Sequence, residues 1–235
     1  MPSRSKLGFV RDFMLDFLEA QFIYGGLSQD EYLDAKASLD GPALRRLRDL
    51  LFAAQGRRVT FPGVSGAVKL ISLREPDLRE FWFIQFVPPR AGGNTQIECF
   101  VGHRFRPDFE RSFRFNLRHL LDPYRIRLTW AGFDLNGDNL LSDIIRNIGQ
   151  SDMCIFDNLG TLDRPNVYIE AGMACVLDRP MIFCEYIGRR NRVVDTGTMP
   201  SDLAGLLRVQ YKSYEDLCRQ LYFGIPHFLS RHGLL

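Results

Sequence analysis

An α/β fold built on a five-stranded parallel sheet, with helices on both faces, is what this 235-residue sequence predicts for its carboxyl-terminal half. Two observations lead there. From about residue 96, short apolar runs alternate with segments whose apolar residues recur at helical spacing, the order expected of strand-helix-strand units. The runs are also apolar at nearly every position rather than at every second one, as in strands covered on both sides. Five such strands suit a flavodoxin-like order, and a smaller α+β amino-terminal domain precedes them.

The elements follow in chain order. Val10, Phe13, Met14, Phe17 and Leu18 share one helical face, and Leu44, Leu47, Leu51 and Ala54 share another. Between them, Ser28-Gln29-Asp30-Glu31 has capping-box spacing and predicts a further helix. After Gly56 the pattern changes to strands: Val59-Thr60-Phe61, Ala67 to Leu73, and Phe81 to Val87. Pro88-Pro89-Arg90-Ala91-Gly92-Gly93-Asn94 then punctuates the chain and places a boundary near residue 93, dividing it into domains 1–93 and 94–235. The later strands are Ile97 to Val101, Ile126 to Trp130, Met153 to Phe156, Met181 to Cys184 and Leu207 to Tyr211. Helices are predicted over Phe109 to Leu121, Leu140 to Ile148 and Val167 to Leu177, and a last one after Ser213, whose S-x-x-D spacing to Asp216 marks a start.

A composition of 46% hydrophobic and 25% charged residues is that of an ordinary globular protein. The net charge of +2, from 30 basic and 28 acidic residues, supplies no field that would point to nucleic acid or an anionic membrane. Arg45-Arg46-Leu47-Arg48 and the series Arg104, Arg106, Arg111 and Arg114 are local exceptions. Both have the look of solvated helix faces, and the second, following a strand end, is also a candidate phosphate contact. Five cysteines without a CxxC or Cys/His cluster read as buried thiols of a reducing compartment. Charges interrupt the apolar residues from Phe9 to Phe22, so neither a signal peptide nor a membrane span is expected, and the cytoplasm is the expected location.

The candidate chemistry centres on Glu170. It lies early in a helix that continues as Ala171-Gly172-Met173-Ala174-Cys175-Val176-Leu177, with no obvious solvated face. An acidic side chain there must reach solvent, find a partner or line a pocket. As chemistry, it is a nucleophile or a stabiliser of an oxocarbenium ion. As structure, it is a carboxylate favoured near a helix start or paired with Arg164. Asn166 is one turn earlier on the same face and can orient the carboxylate or a sugar hydroxyl.

Ligands of such sheets bind beyond the carboxyl ends of the strands. Gly102, His103 and Arg104 end the first strand there, Asp134 to Asp138 follow the second, and Asp157 and Asn158 end the third. Asp157 can accept from ribose hydroxyls, or it simply caps a turn before Gly160. Gly102-His103-Arg104 can approach a ligand closely, although no GxGxxG or Walker loop is present. Asp134-Leu135-Asn136-Gly137-Asp138 has the outline of a calcium loop, but its Gly and closing acid are misplaced, so it reads as a turn with one residue, Asp134, near the pocket. His103, His119, His227 and His232 have no metal spacing, and no metal site is expected.

Several stretches resemble one superfamily in their order. Cys99-Phe100-Val101-Gly102-His103, the helix Asp143 to Ile148 leading into Ser151 to Asp157, and Pro165-Asn166-Val167-Tyr168-Ile169-Glu170-Ala171-Gly172 resemble TIR-like domains and nucleoside 2-deoxyribosyltransferase-like proteins. Met199 to Gly205 followed by Val209-Gln210-Tyr211 resembles TIR-like effectors of bacterial antiphage defence. The likeness covers about residues 96 to 222 and implies a TIR-like form of the parallel sheet. It also implies Glu170 as the catalytic carboxylate with Asn166 beside it, Asp157 towards ribose, and Gly102, His103, Arg104 and Phe105 as a loop beneath a nucleotide.

Both branches break an N-glycosidic bond. The resemblance implies an N-glycosidase that takes NAD+ as substrate, with no separate cofactor, in antiviral defence. The alternatives are a deoxyribosyltransferase-like enzyme and a noncatalytic nucleotide-binding sensor or adaptor. Partners implied are a nucleotide or nucleoside ligand, together with self-assembly, an activating protein or a second messenger acting through residues 1–93. The Ser-x-x-Trp-Cys arrangement of many TIR domains is missing, and Leu159 to Arg164 lacks the Gly-Thr pattern of the transferases.

Overall fold

The computed structural model describes residues 5–23, 26–39, 41–60, 67–87, 96–103, 107–131, 140–157, 166–187 and 207–234, with side chains omitted for 107–110 and 207. The chain divides into two compact units. One comprises Met1–Leu73, Phe81–Gly93 and Phe223–Phe228, and the other Arg74–Glu80, Asn94–Tyr222 and Leu229–Leu235.

The first unit contains helices α1 (Lys6–Ile23), α2 (Gln29–Ser38) and α3 (Pro42–Ala53), then a sheet ordered β1 (Arg58–Thr60), β2 (Ala67–Arg74), β3 (Glu80–Val87). The capping box forms as its spacing predicts: Ser28 Oγ accepts from the Glu31 N–H at 3.3 Å, and the Glu31 carboxylate accepts from the Ser28 N–H at 2.8 Å. Val10, Phe13, Met14 and Leu18, and Leu44, Leu47 and Leu51, are buried on the predicted faces. Phe13 meets Phe83 edge-on at 5.1 Å between ring centroids.

The second unit carries β4 (Ile97–His103), α4 (Pro107–Leu121), β5 (Ile126–Trp130), α5 (Leu140–Gln150), β6 (Met153–Asp157), α6 (Asn166–Val176), β7 (Met181–Tyr186), β8 (Leu207–Tyr211) and α7 (Tyr214–Arg231) except for its residues Phe223–Phe228. Its five strands form one sheet in the order β5-β4-β6-β7-β8, and every neighbouring pair runs parallel. All five residues of β6 are buried, which explains why this strand is apolar without alternation.

Helices cover both sides. Phe100 of β4, Cys154 and Phe156 of β6, and Met181 and Phe183 of β7 form one cluster with Ile148 of α5 and Val167, Ala171 and Ala174 of α6. On the other side, His103 of β4 contacts Phe113 of α4, and Phe113 contacts Tyr214 of α7. Ser213 Oγ accepts from the Asp216 N–H at 3.1 Å, starting α7 where the spacing predicts.

One expectation needs correcting. Cys99, Cys154, Cys184 and Cys218 are buried, but Cys175 is exposed. Ala171 and Ala174 turn α6 towards the sheet, and the next residues rotate outward at about 100° each. The outer side of α6 is therefore itself apolar, with Ile169 and Val176 both exposed. No helix among the described residues is long and apolar enough to cross a membrane.

Candidate functional site

The site begins with the reach of β4. Its ladder continues past the apolar run, pairing Gly102 with Phe156 and His103 with Asp157 of β6. Gly102 and His103 are thus strand residues at the carboxyl edge of the sheet. Because successive side chains point to opposite faces, these two pairs separate. Gly102 and Phe156 belong to the face packed by α5 and α6, whereas His103 and Asp157 belong to the face packed by α4 and α7.

Glu170 approaches the first of these faces from above. It is the fifth residue of α6, and 7% of it is exposed. Its carboxyl group comes down onto Gly102: a Cβ built there would collide with Glu170 Oε2 and lie 2.6 Å from Cδ1 of Phe156. Among the described residues Glu170 Oε2 is buried with no hydrogen-bond partner. Burial pushes the Glu170 carboxyl up from 4.5 to about 7, because a charge there gives up hydration without compensation. Near neutral pH the group is therefore poised between acid and carboxylate.

The account of Glu170 as a carboxylate favoured by the helix start is not supported by this geometry. Glu170 lies beyond the first turn of α6, where the macrodipole acts most strongly. Arg164 lies outside the described residues. An ionisable neighbour is Cys154 of β6, whose thiol burial pushes up to about 12, against the opposing charge of Arg179 and with a smaller rise from Glu170. Cys154 consequently stays neutral.

Asn166 starts α6, one turn before Glu170, and is exposed; no hydrogen bond joins the two among the described residues. Asp157 is 1% exposed and accepts a hydrogen bond from the Tyr211 hydroxyl at 2.6 Å. That pairing is on the face away from Glu170, so the structure does not bring the two carboxyl groups together. Tyr211 has its ionisation pushed well upward by burial first and then by the Asp157 charge. His103, 4% exposed, sits with its ring centroid 6.1 Å from Phe113 and 5.5 Å from Trp130. Arg104, Phe105, Asp134 and Asn158 lie outside the described residues.

Two features were not anticipated from the sequence. Glu185 of β7 is 2% exposed and accepts from Arg208 and, at 3.0 Å, from Gln210 Nε2 of β8. It is two residues beyond Phe183 and so shares the Glu170 face. Its signal was a lone acid in Met181 to Tyr186 facing the alternating Arg208 and Gln210, visible only once the register pairs Glu185 with Gln210. The second is a cavity of about 190 Å³ lined by Glu75, Arg79, Tyr186, Tyr211, Lys212 and Tyr214 among others. Tyr211 places it on the Asp157 side of the sheet, away from Glu170.

The arrangement offers one buried carboxyl group whose charge is not neutralised by a hydrogen bond among the described residues. Such a group can stabilise positive charge that develops on a bound substrate. Among the described residues, no group of three or more His, Cys, Asp or Glu side chains is placed to hold a metal ion. In comparisons with known proteins, no family model matches the chain, and no curated protein matches it.

Proposed function

We propose that the second unit is a TIR-like N-glycosidase that cleaves the nicotinamide-ribose bond of NAD+ or a related nucleotide, with Glu170 as its catalytic carboxylate. The observation that carries the reading is the buried Glu170 carboxyl, whose Oε2 has no hydrogen-bond partner among the described residues, seated at the carboxyl edge of a parallel sheet. The strand order β5-β4-β6-β7-β8 supports it, being 2-1-3-4-5 in chain order, the flavodoxin-like arrangement whose ligands bind at this edge.

The chemistry suits a single free carboxylate. As the C1′–N bond breaks, the electron pair passes to the pyridinium nitrogen and nicotinamide leaves neutral, so no acid need protonate it. The ribose gains oxocarbenium character, which the Glu170 carboxylate stabilises. Water adds to C1′ and gives up a proton to solvent, completing the hydrolysis. A neutral nucleoside base is a poorer leaving group and calls for a proton donor as well. Asp157 faces the other way, and Glu185 is held by Arg208 and Gln210, which favours the pyridinium substrate over base exchange.

Incubating the purified protein with NAD+ and a mixture of deoxynucleosides, beside Glu170→Gln, tests this by mass spectrometry of the products. Nicotinamide release lost in the variant is expected. Base exchange between deoxynucleosides would instead assign the transferase chemistry, and ligand binding without turnover would assign a sensor.

A further inference from the structure

Gly102 has no conformational reason to be glycine. It is a strand residue, and among the described residues the glycines with positive φ are Gly41, Gly56 and Gly233. Its reason is space. A Cβ at Gly149, Gly172 or Gly224 would meet nothing within 4 Å, whereas one at Gly102 would run into the carboxyl oxygen of Glu170 and lie 2.6 and 2.9 Å from two atoms of the Phe156 ring. The carboxyl group and the ring edge together occupy the volume that any side chain at 102 would need.

We propose that Gly102 is a positioning residue for Glu170, its missing side chain being the seat into which the carboxyl group descends from α6 onto the sheet. Residue 102 then decides whether residue 170 is buried at the strand edge or pushed out towards water. This assigns Gly102 to the carboxylate itself rather than to a nucleotide. The catalytic consequence rests on the N-glycosidase reading above; the seating does not.

The geometry makes the effect of a methyl group directional. Gly102→Ala puts the added carbon in collision with Glu170 Oε2, while Glu170→Asp retracts the carboxyl group by one methylene and relieves that contact. The two substitutions therefore compensate. Glu170→Asp weakens the wild-type seat but relieves crowding in the Gly102→Ala background, so its effect on stability changes sign between them. The ionisable groups on this face of the sheet, Cys154 on β6 and the Glu185–Arg208 pair of β7 and β8, are the same in all four forms.

The test uses the whole chain in four forms: wild type, Gly102→Ala, Glu170→Asp and the double variant. Urea unfolding gives stability, and carbon-13 NMR of labelled glutamate follows Glu170, assigned by the signal missing from Glu170→Gln. In Gly102→Ala, the midpoint of Glu170 is expected to fall from near 7 towards 4.5, and nicotinamide release to fall at least about tenfold. Glu170→Asp is expected to lower the urea midpoint in the glycine background and raise it in the alanine background. Because Phe156 also crowds the added carbon, the same comparison is made with Phe156→Leu present if Gly102→Ala does not fold. An unchanged Glu170 midpoint in Gly102→Ala, or an Asp effect of one sign in both backgrounds, overturns the proposal. Seating confirmed by titration and stability, with no NAD+ turnover in any form, overturns the N-glycosidase reading alone.

Discussion

Glu170→Gln should make the protein more stable, and by an amount that depends on pH. The wild-type carboxyl ionises at about 7 when folded and at 4.5 as the reference for an exposed chain. Below 4.5 it is neutral in both states and costs nothing. As pH rises from 4.5 to about 7, the unfolded chain gives up its proton while the folded one holds it, so stability falls; above 7 both states are ionised and the loss levels off. At roughly 1.4 kcal/mol for each pH unit of that interval, the total is about 3 kcal/mol. The amide has no charge to lose, so the difference between variant and wild type isolates this one group. Urea unfolding of both proteins at pH 5, 6, 7 and 8 reads it directly. The expected result is a gain of the variant over wild type that grows by about 2.5 kcal/mol between pH 5 and pH 8, the rest having been lost below pH 5, equivalent to about 5–10 °C in Tm for a chain of this size. Parallel stability curves would refute the claim that Glu170 is held uncharged by burial.

Other outcomes follow from named contacts. Nicotinamide release should rise with pH through a midpoint near 7, because the ionised form of Glu170 does the work; a flat profile from pH 5.5 to 8.5 would count against it. Arg208→Met removes the cationic partner of Glu185 in a nearly water-free position and leaves the Gln210 amide as a donor, a loss of about 3 kcal/mol by urea unfolding, whereas Glu185→Leu with Arg208→Leu should cost less than the single change. Tyr211→Phe removes the 2.6 Å hydrogen bond to Asp157 and should cost about 1–3 kcal/mol while leaving Glu170 titration unchanged, since the two lie on opposite faces. Glu75→Ala uncaps α7, where the carboxylate accepts from the Tyr214 and Glu215 N–H groups at 3.0 and 3.3 Å, and should lower stability by about 1–2 kcal/mol.

How far the sequence could be read depended on what each feature needed. The parallel sheet was legible because strands buried on both faces must be apolar throughout, as Met153–Asp157 nearly is. Glu170 was legible because a lone carboxylate in an otherwise apolar helix must reach solvent, find a partner or line a pocket. The division of the site into two faces was not, because it turns on a single residue of strand length. Extending β4 and β6 as far as His103 and Asp157 puts Asp157 beside His103, opposite Gly102 and Phe156. Apolarity without alternation hides that parity. Glu185 was missed for a related reason: its partners Arg208 and Gln210 come from β8, more than twenty residues away, and only the register brings them together. The exposed apolar side of α6 shows the limit of pattern alone, since the helix has a solvated face that its residue types do not announce.

The most direct test is the rate of nicotinamide release from NAD+ by the wild-type chain and by Glu170→Gln at pH 8, over a wide range of protein concentration. The proposed chemistry predicts release by the wild type and a loss of at least about a hundredfold in a variant that is folded and more stable. Equal rates in the two proteins, or no release by the wild type at any concentration, would contradict it.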